Sequence, residues 1–412
     1  MPVKNRFAEL LPEITAWRRD LHEHPEILFD TQRTSGIVAE KLQAFGCDEV
    51  VTGLGRTGVV GIIRGKSDNS GRTIGLRADM DALPIHEETG VDYASKTPGA
   101  MHACGHDGHT AMLLGAAKYL AETRNFDGTV AVIFQPAEEG GGGGKEMVDD
   151  GIMERWGIEE VYGMHNWPGV PTGQFAIRSG PFFAATDIFE IKVTGRGGHA
   201  AKPHETVDST VLASHLVLAL QTIASRNADP IDSLVVSVTS FETSSKAFNV
   251  IPETVTLKGT VRTLSPEMRD LAESRMGAIV EGTATMLGGS ATLDYTRNYP
   301  VMVNSDEQTE FAAEVATAVA GACADAPLVM GGEDFAFMSN ARPGAYILVG
   351  NGDTAHVRHP KCNFNAETIP SGSSSWAEFV SPRRPAPTRH LSRRRPLPWP
   401  RPPGRRHPRR RP

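Results

Sequence analysis

Sulfur, nitrogen and oxygen donors gather at four places in this sequence. The first is HACGHDGH, His102–His109, where Cys104 and His106 stand two residues apart. On extended chain such residues face the same side and can grip one ion. On a helix they would diverge by about 200°. Gly105 between them permits a sharp bend. The second place is QPAEEGGGGG, Gln135–Gly144, where Glu138 and Glu139 are adjacent. Neighbours on extended chain face opposite ways, so this pair suits two different tasks. The third is GMHNWP, with His165, and the fourth is HVRHP, with His356 and His359.

Thiolate, imidazole and carboxylate together suit a borderline divalent ion (Mn2+, Zn2+, Co2+ or Ni2+) and leave room for two. Two such ions close together activate water and polarise a substrate carbonyl. A free carboxylate beside them takes the water's proton and passes it to a leaving amine. Two neighbouring glutamates supply one ligand and one base, and the inventory is that of a hydrolase. Each signal alone has a blander reading. A lone buried cysteine is most often a small core residue. His102, His109 and His356 read as loop, capping or supporting groups rather than ligands. The glycine run is no phosphate loop, because Lys145 is followed by Glu146 rather than Ser or Thr.

The elements that must position these groups follow from periodicity. Phe7–Glu23 and Thr34–Phe45 have helical spacing, the second stopping at Gly46. Gly58–Ile63, Thr73–Leu76, Val130–Phe134 and Val161–Met164 are short runs rich in β-branched residues, with a helix over Gly108–Thr123 between them. That alternation predicts an α/β catalytic domain whose largely parallel mixed sheet is flanked by helices. The donors then fall at or beyond strand ends, where sites of open α/β sheets collect. After Phe183 the pattern changes to strands of alternating polarity and two helices, in the order βαββαβ. This predicts an inserted α+β domain with one sheet face open to solvent. The expected division is 1–183 and 301–380 for the catalytic domain, 184–300 for the insertion, and 381–412 as a tail.

The net charge of −7 conceals an asymmetry. Residues 381–412 hold 12 arginines and 10 prolines with no Asp, Glu or Lys, so the rest carries 30 basic against 49 acidic residues, a net of −19. An acidic body excludes a nucleic-acid-binding core; only the tail could hold a polyanion. The tail cannot build a core and is expected to be disordered. Its composition fits an out-of-frame or misassigned gene end better than an anchor. No run approaches the roughly 20 apolar residues of a membrane helix. The four cysteines show no framework spacing, which points to reduced thiols and a cytoplasmic location.

These motifs, together with RADMDALP (Arg77–Pro84), GRGGHAAKPH (Gly195–His204), FNVIPE (Phe248–Glu253), GTVRT and GGEDFAFM (Gly331–Met338), occur in an order that resembles one family. It is the binuclear metal-dependent amidohydrolases and carboxypeptidases that include hippurate hydrolases, N-acyl-amino-acid amidohydrolases and indoleacetyl-amino-acid hydrolases. The resemblance spans about residues 5–380. It implies metal ligands at Cys104, His106, Glu139, His165 and His359, with Glu138 as general base and Asp79 orienting a ligand. It makes the insertion a lid and dimerisation domain, so a homodimer or homotetramer is expected. There His199 would steady the oxyanion, commonly in the partner's site, while Asn249 and Arg262 grip the substrate. A guanidinium at Arg262 suits the free α-carboxylate of an amino acid. The implied reaction is hydrolysis of N-acyl amino acids with two divalent ions per subunit. Alternatives are a metallo-exopeptidase or N-acyl-diaminopimelate-type deacylase, a hydrolase using Cys104 as nucleophile, or a non-catalytic binding protein.

Overall fold

The computed structural model describes residues 5–380. The arginine- and proline-rich segment 381–412, expected to lack structure, lies outside the described residues. Eight strands form the central sheet, ordered Glu49–Leu54, Gly58–Arg64, Thr129–Gln135, Thr73–Asp79, Ile158–Pro168, Gly344–Gly352, Phe175–Ile177 and Cys323–Asp325. The middle four run parallel, from Thr129–Gln135 across to Gly344–Gly352. Gly58–Arg64 and Phe175–Ile177 join antiparallel on either side. The sheet is thus mixed with a parallel centre, as the strand–helix alternation predicts.

Alternate residues of these strands feed two apolar layers. Val130 and Val132 face the helices Asn5–Glu23, Gln32–Ala44, His106–Thr123, Asp306–Ala320 and Ile369–Phe379. Ala131 and Ile133 face the other way, against Met147, Met153, Phe335 and Met338. Burial on both faces explains why these strands read as unbroken apolar runs.

Between Phe183 and Pro300 the chain builds a separate antiparallel sheet, ordered Leu234–Thr243, Thr254–Thr263, Ala185–Thr194 and Ser290–Arg297. Helices Ser209–Thr222 and Pro266–Met286 pack on it. Along Ala185–Thr194, Phe189, Ile191 and Val193 are buried while Ile188, Glu190 and Lys192 are exposed, so only one face is covered. Several elements differ from expectation. The Glu49–Leu54 strand and the Gly143–Asp149 and Phe335–Ala341 helices carry no clear period in the sequence. The Gly108–Thr123 helix begins earlier, at His106.

Candidate metal centre

The parallel strands deliver the donors to one end of the sheet. Thr73–Asp79 ends on Asp79, with Asp81 two residues on. Thr129–Gln135 runs into the turn that bears Glu138 and Glu139. His165 lies near the C-terminal end of Ile158–Pro168. Cys104 arrives on non-helical chain and His106 opens the following helix. Gly105 between them has φ 89°, and a Cβ there would lie 2.4 Å from Asn166 Oδ1. Only glycine fits that bend.

Cys104, His106 and His165 offer ligand atoms within 4.8 Å of one another, and so do His106, Glu138 and Glu139. His106 belongs to both groups, which makes a two-part centre. Cys104 Sγ lies 3.3 Å from His165 Nε2. Neither ring nitrogen of the buried His106 makes a well-aligned hydrogen bond, Nδ1 standing 3.4 Å from Asp81 Oδ1, and Glu139 Oε1 makes none either. Buried polar atoms left in that state are costly. A divalent cation at those atoms removes the deficit, so the residues present fit a metal.

The electrostatics agree. Burial, then Glu139 and Glu138, push the Cys104 thiol well above its ordinary value. Burial, then Glu333 and Glu139, hold the Glu138 carboxyl well above the usual carboxylate range. Burial would lower His106, but Asp79 and Asp81 outweigh it and carry the ring up to about 10. The centre is short of positive charge, and a cation placed there would favour the ionised thiol and carboxyls.

Supporting contacts fix the glutamate turn. Asp81 accepts the backbone N–H groups of Glu138 and Glu139 at 3.0 and 3.1 Å. Tyr299 donates its hydroxyl hydrogen to the Glu138 carbonyl at 2.6 Å and accepts from the Gly142 N–H. Glu138 also lies near Glu333 and Asp334, but Arg77 contacts both of those carboxylates, at 3.1 and 2.8 Å. Neither Asp81 nor Tyr299 was singled out from sequence. Asp81 sits in the quoted RADMDALP run, and its spacing from Asp79 was the available signal.

Residues 75–381 match the peptidase family M20/M25/M40. The chain belongs to this family. It is 42% identical over 376 residues to the hippurate hydrolase of Campylobacter jejuni, covering 90% of this chain and 97% of that one. It is 42% identical over 307 residues to the N-acyl-L-amino acid amidohydrolase of Geobacillus stearothermophilus, covering 74% and 81%. Among solved structures, the Bacillus subtilis protein YxeP, described as a dinuclear metal binding peptidase from the M20 family, superposes with a TM-score of 0.79. It is 33% identical, over 90% of this chain and 98% of that one. The M20 chain is therefore a metal-dependent amidohydrolase. No helix among its described residues is long and apolar enough to cross a membrane.

Other expected site residues of the M20 chain lie differently. Asp79 hydrogen-bonds His109 Nδ1 at 2.6 Å and Arg77 at 2.7 Å, and stands 3.8 Å from His106. His109 in turn reaches Asn166 at 2.7 Å, so it supports the wall beside His165. His359 is exposed, outside both donor groups, and its Nδ1 accepts the Lys361 N–H. Its neighbour Arg358 reaches inward instead, to Glu139. His199 and Asn249 are exposed together on the ribbon Gly198–His199 with Val250–Ile251, where the Ala200 N–H donates to the Asn249 carbonyl. Arg262 is half-buried, held by Thr260 Oγ1 and the Val261 carbonyl.

Proposed function

We propose that the chain hydrolyses the amide bond of N-acyl amino acids, hippurate-like substrates among them, releasing a carboxylic acid and an amino acid. The observation that carries this reading is the buried set Cys104, His106, Glu138, Glu139 and His165, with its orphaned donor atoms. Cys104, His106, Glu139 and His165 would hold two divalent ions of the Mn2+, Zn2+, Co2+ or Ni2+ type. His359 would complete that set only if the 356–360 segment turns its ring inward. When bound there, such ions would supply Lewis acidity toward a substrate carbonyl and lower the pKa of a water.

The chain's own residues do the rest. Glu138, raised by burial and its acidic neighbours, accepts the water's proton and gives it to the departing nitrogen. Asp81 and Tyr299 keep the turn of Glu138 in place. Residues 184–300 act as a lid and dimerisation domain. From it His199 donates to the developing oxyanion, Asn249 contacts the substrate, and Arg262 takes the α-carboxylate in two parallel hydrogen bonds. A thiol-nucleophile mechanism at Cys104 would leave Glu138, Glu139 and His165 without a task.

The test is a hydrolysis screen of N-acyl amino acids and dipeptides, run on chelator-treated protein and again with each of the four ions. Loss with chelator and recovery with one ion on acyl amino acids is expected. Turnover of dipeptides alone would move the substrate class to peptides, and chelator-insensitive turnover would sink the metal reading.

A further inference from the structure

We propose that Arg358 is a built-in cation of this centre, holding Glu139 so that a second metal ion binds only when the guanidinium lets go. The inference rests on the two-ion reading above and deepens it, because it makes the two ion positions unequal. Arg358 Nη2 lies 2.7 Å from Glu139 Oε2, pairing a side chain that is 56% exposed with one that is 2% exposed. Glu139 Oε1 is left without a partner, so one oxygen of the carboxylate is held and the other is free.

The backbone aims the guanidinium inward. Arg358 has φ 67°, a left-handed conformation that residues with a Cβ avoid, and its N–H donates to the Ala103 carbonyl at 2.7 Å. Ala103 adjoins Cys104, so this hydrogen bond ties the segment to the donor loop itself. The next residue, His359, consequently points out. Glu139, Cys104 and Glu138 all act on the guanidinium electrostatically. Arg358 also lies within electrostatic reach of Arg262 on the four-stranded sheet.

Among the described residues no guanidinium hydrogen-bonds a donor atom of the Cys104–His106–His165 group, which Arg358 reaches only through its field. A cation using both oxygens of Glu139 has to displace this positive charge from Oε2. The first ion therefore binds tightly and the second weakly. Release of Arg358 is open to it, since about half of its side-chain surface is exposed.

The test titrates the full chain, stripped of metal, with Mn2+ by calorimetry, and counts isolated and spin-coupled ions by electron paramagnetic resonance. Two unequal sites are expected in the wild type. Arg358→Met should tighten the weaker site about tenfold or more, leave the stronger within about twofold, and populate the coupled pair at lower Mn2+. Arg358→Lys, which keeps the charge but loses the planar fork, should fall between. Isotherms in Arg358→Met matching the wild type, or a weaker second site, would overturn the Arg358 proposal alone. Absence of Mn2+ binding in every protein would overturn the two-ion reading with it.

Discussion

Glu138 and Glu139 are adjacent in the chain and end in opposite circumstances. Glu139 faces His106 and Arg358, while Glu138 faces Glu333 and Asp334. The first suits a ligand and the second a proton carrier. Replacing Glu138 by Gln keeps the shape and removes the base, so kcat should fall by about 10² to 10⁴-fold. Metal content, read by elemental analysis, should not change; a variant with full activity would end the proton-shuttle assignment. The pH dependence has a definite sign. The base works deprotonated and its carboxyl is raised, so kcat/KM should decline as pH falls through its pKa, and the Gln variant should lose that limb. That the two glutamates meet different surroundings was legible from adjacency at a strand end, and that Cys104 and His106 come together was legible from spacing. Arg358 was not legible, because it acts through a contact with a remote turn that no local pattern encodes, and Asp81 left only its spacing from Asp79 as a signal.

Elements hold these side chains through two anchors whose loss should be measurable. The last helix, Ile369–Phe379, lies on His106–Thr123, with Ser373 Oγ donating to the Met112 carbonyl at 2.9 Å and Trp376 only 1% exposed. Trp376→Ala should destabilise the protein by about 3–5 kcal/mol, read by denaturant unfolding. The first helix is pinned by His22, whose ring meets Asp107 at 2.8 Å and Glu87 at 3.2 Å. Burial would raise Glu87, but hydrogen bonds from His22 and Thr89 outweigh it and bring its carboxyl down to about 2. A depressed carboxyl stabilises above its unfolded value, about 4.3, and that contribution is lost as pH falls toward 2. Tm should therefore drop across that window, and Glu87→Gln should make the drop shallower; equal slopes would remove Glu87 from the account. Long helices and doubly buried strands were readable from period and composition. Gly143–Asp149 and Phe335–Ala341 span two turns or fewer, too short for a period to emerge, and the edge strand Glu49–Leu54 is half exposed.

At the scale of the whole molecule, the proposed machinery is divided between two sheets. The donors and Glu138 belong to the eight-stranded sheet, whereas His199, Asn249 and Arg262 belong to the segment between Phe183 and Pro300. Arg262 is close enough to feel Arg358, but His199 is exposed and outside the donor groups. If His199 serves the site of a partner copy, two inactive variants should rescue each other. In a heterodimer of Glu138→Gln with His199→Ala, one site combines both defects. The other keeps its own Glu138 and receives an intact His199 from the partner. Random exchange puts about half of the subunits in such dimers, so activity should recover to about a quarter of wild type. The assay mixes the two proteins after brief denaturation and refolding, with each variant alone as control. A mixture no more active than its parents would place His199 in the site of its own chain, reached by closure of the lid, or remove it from the reaction.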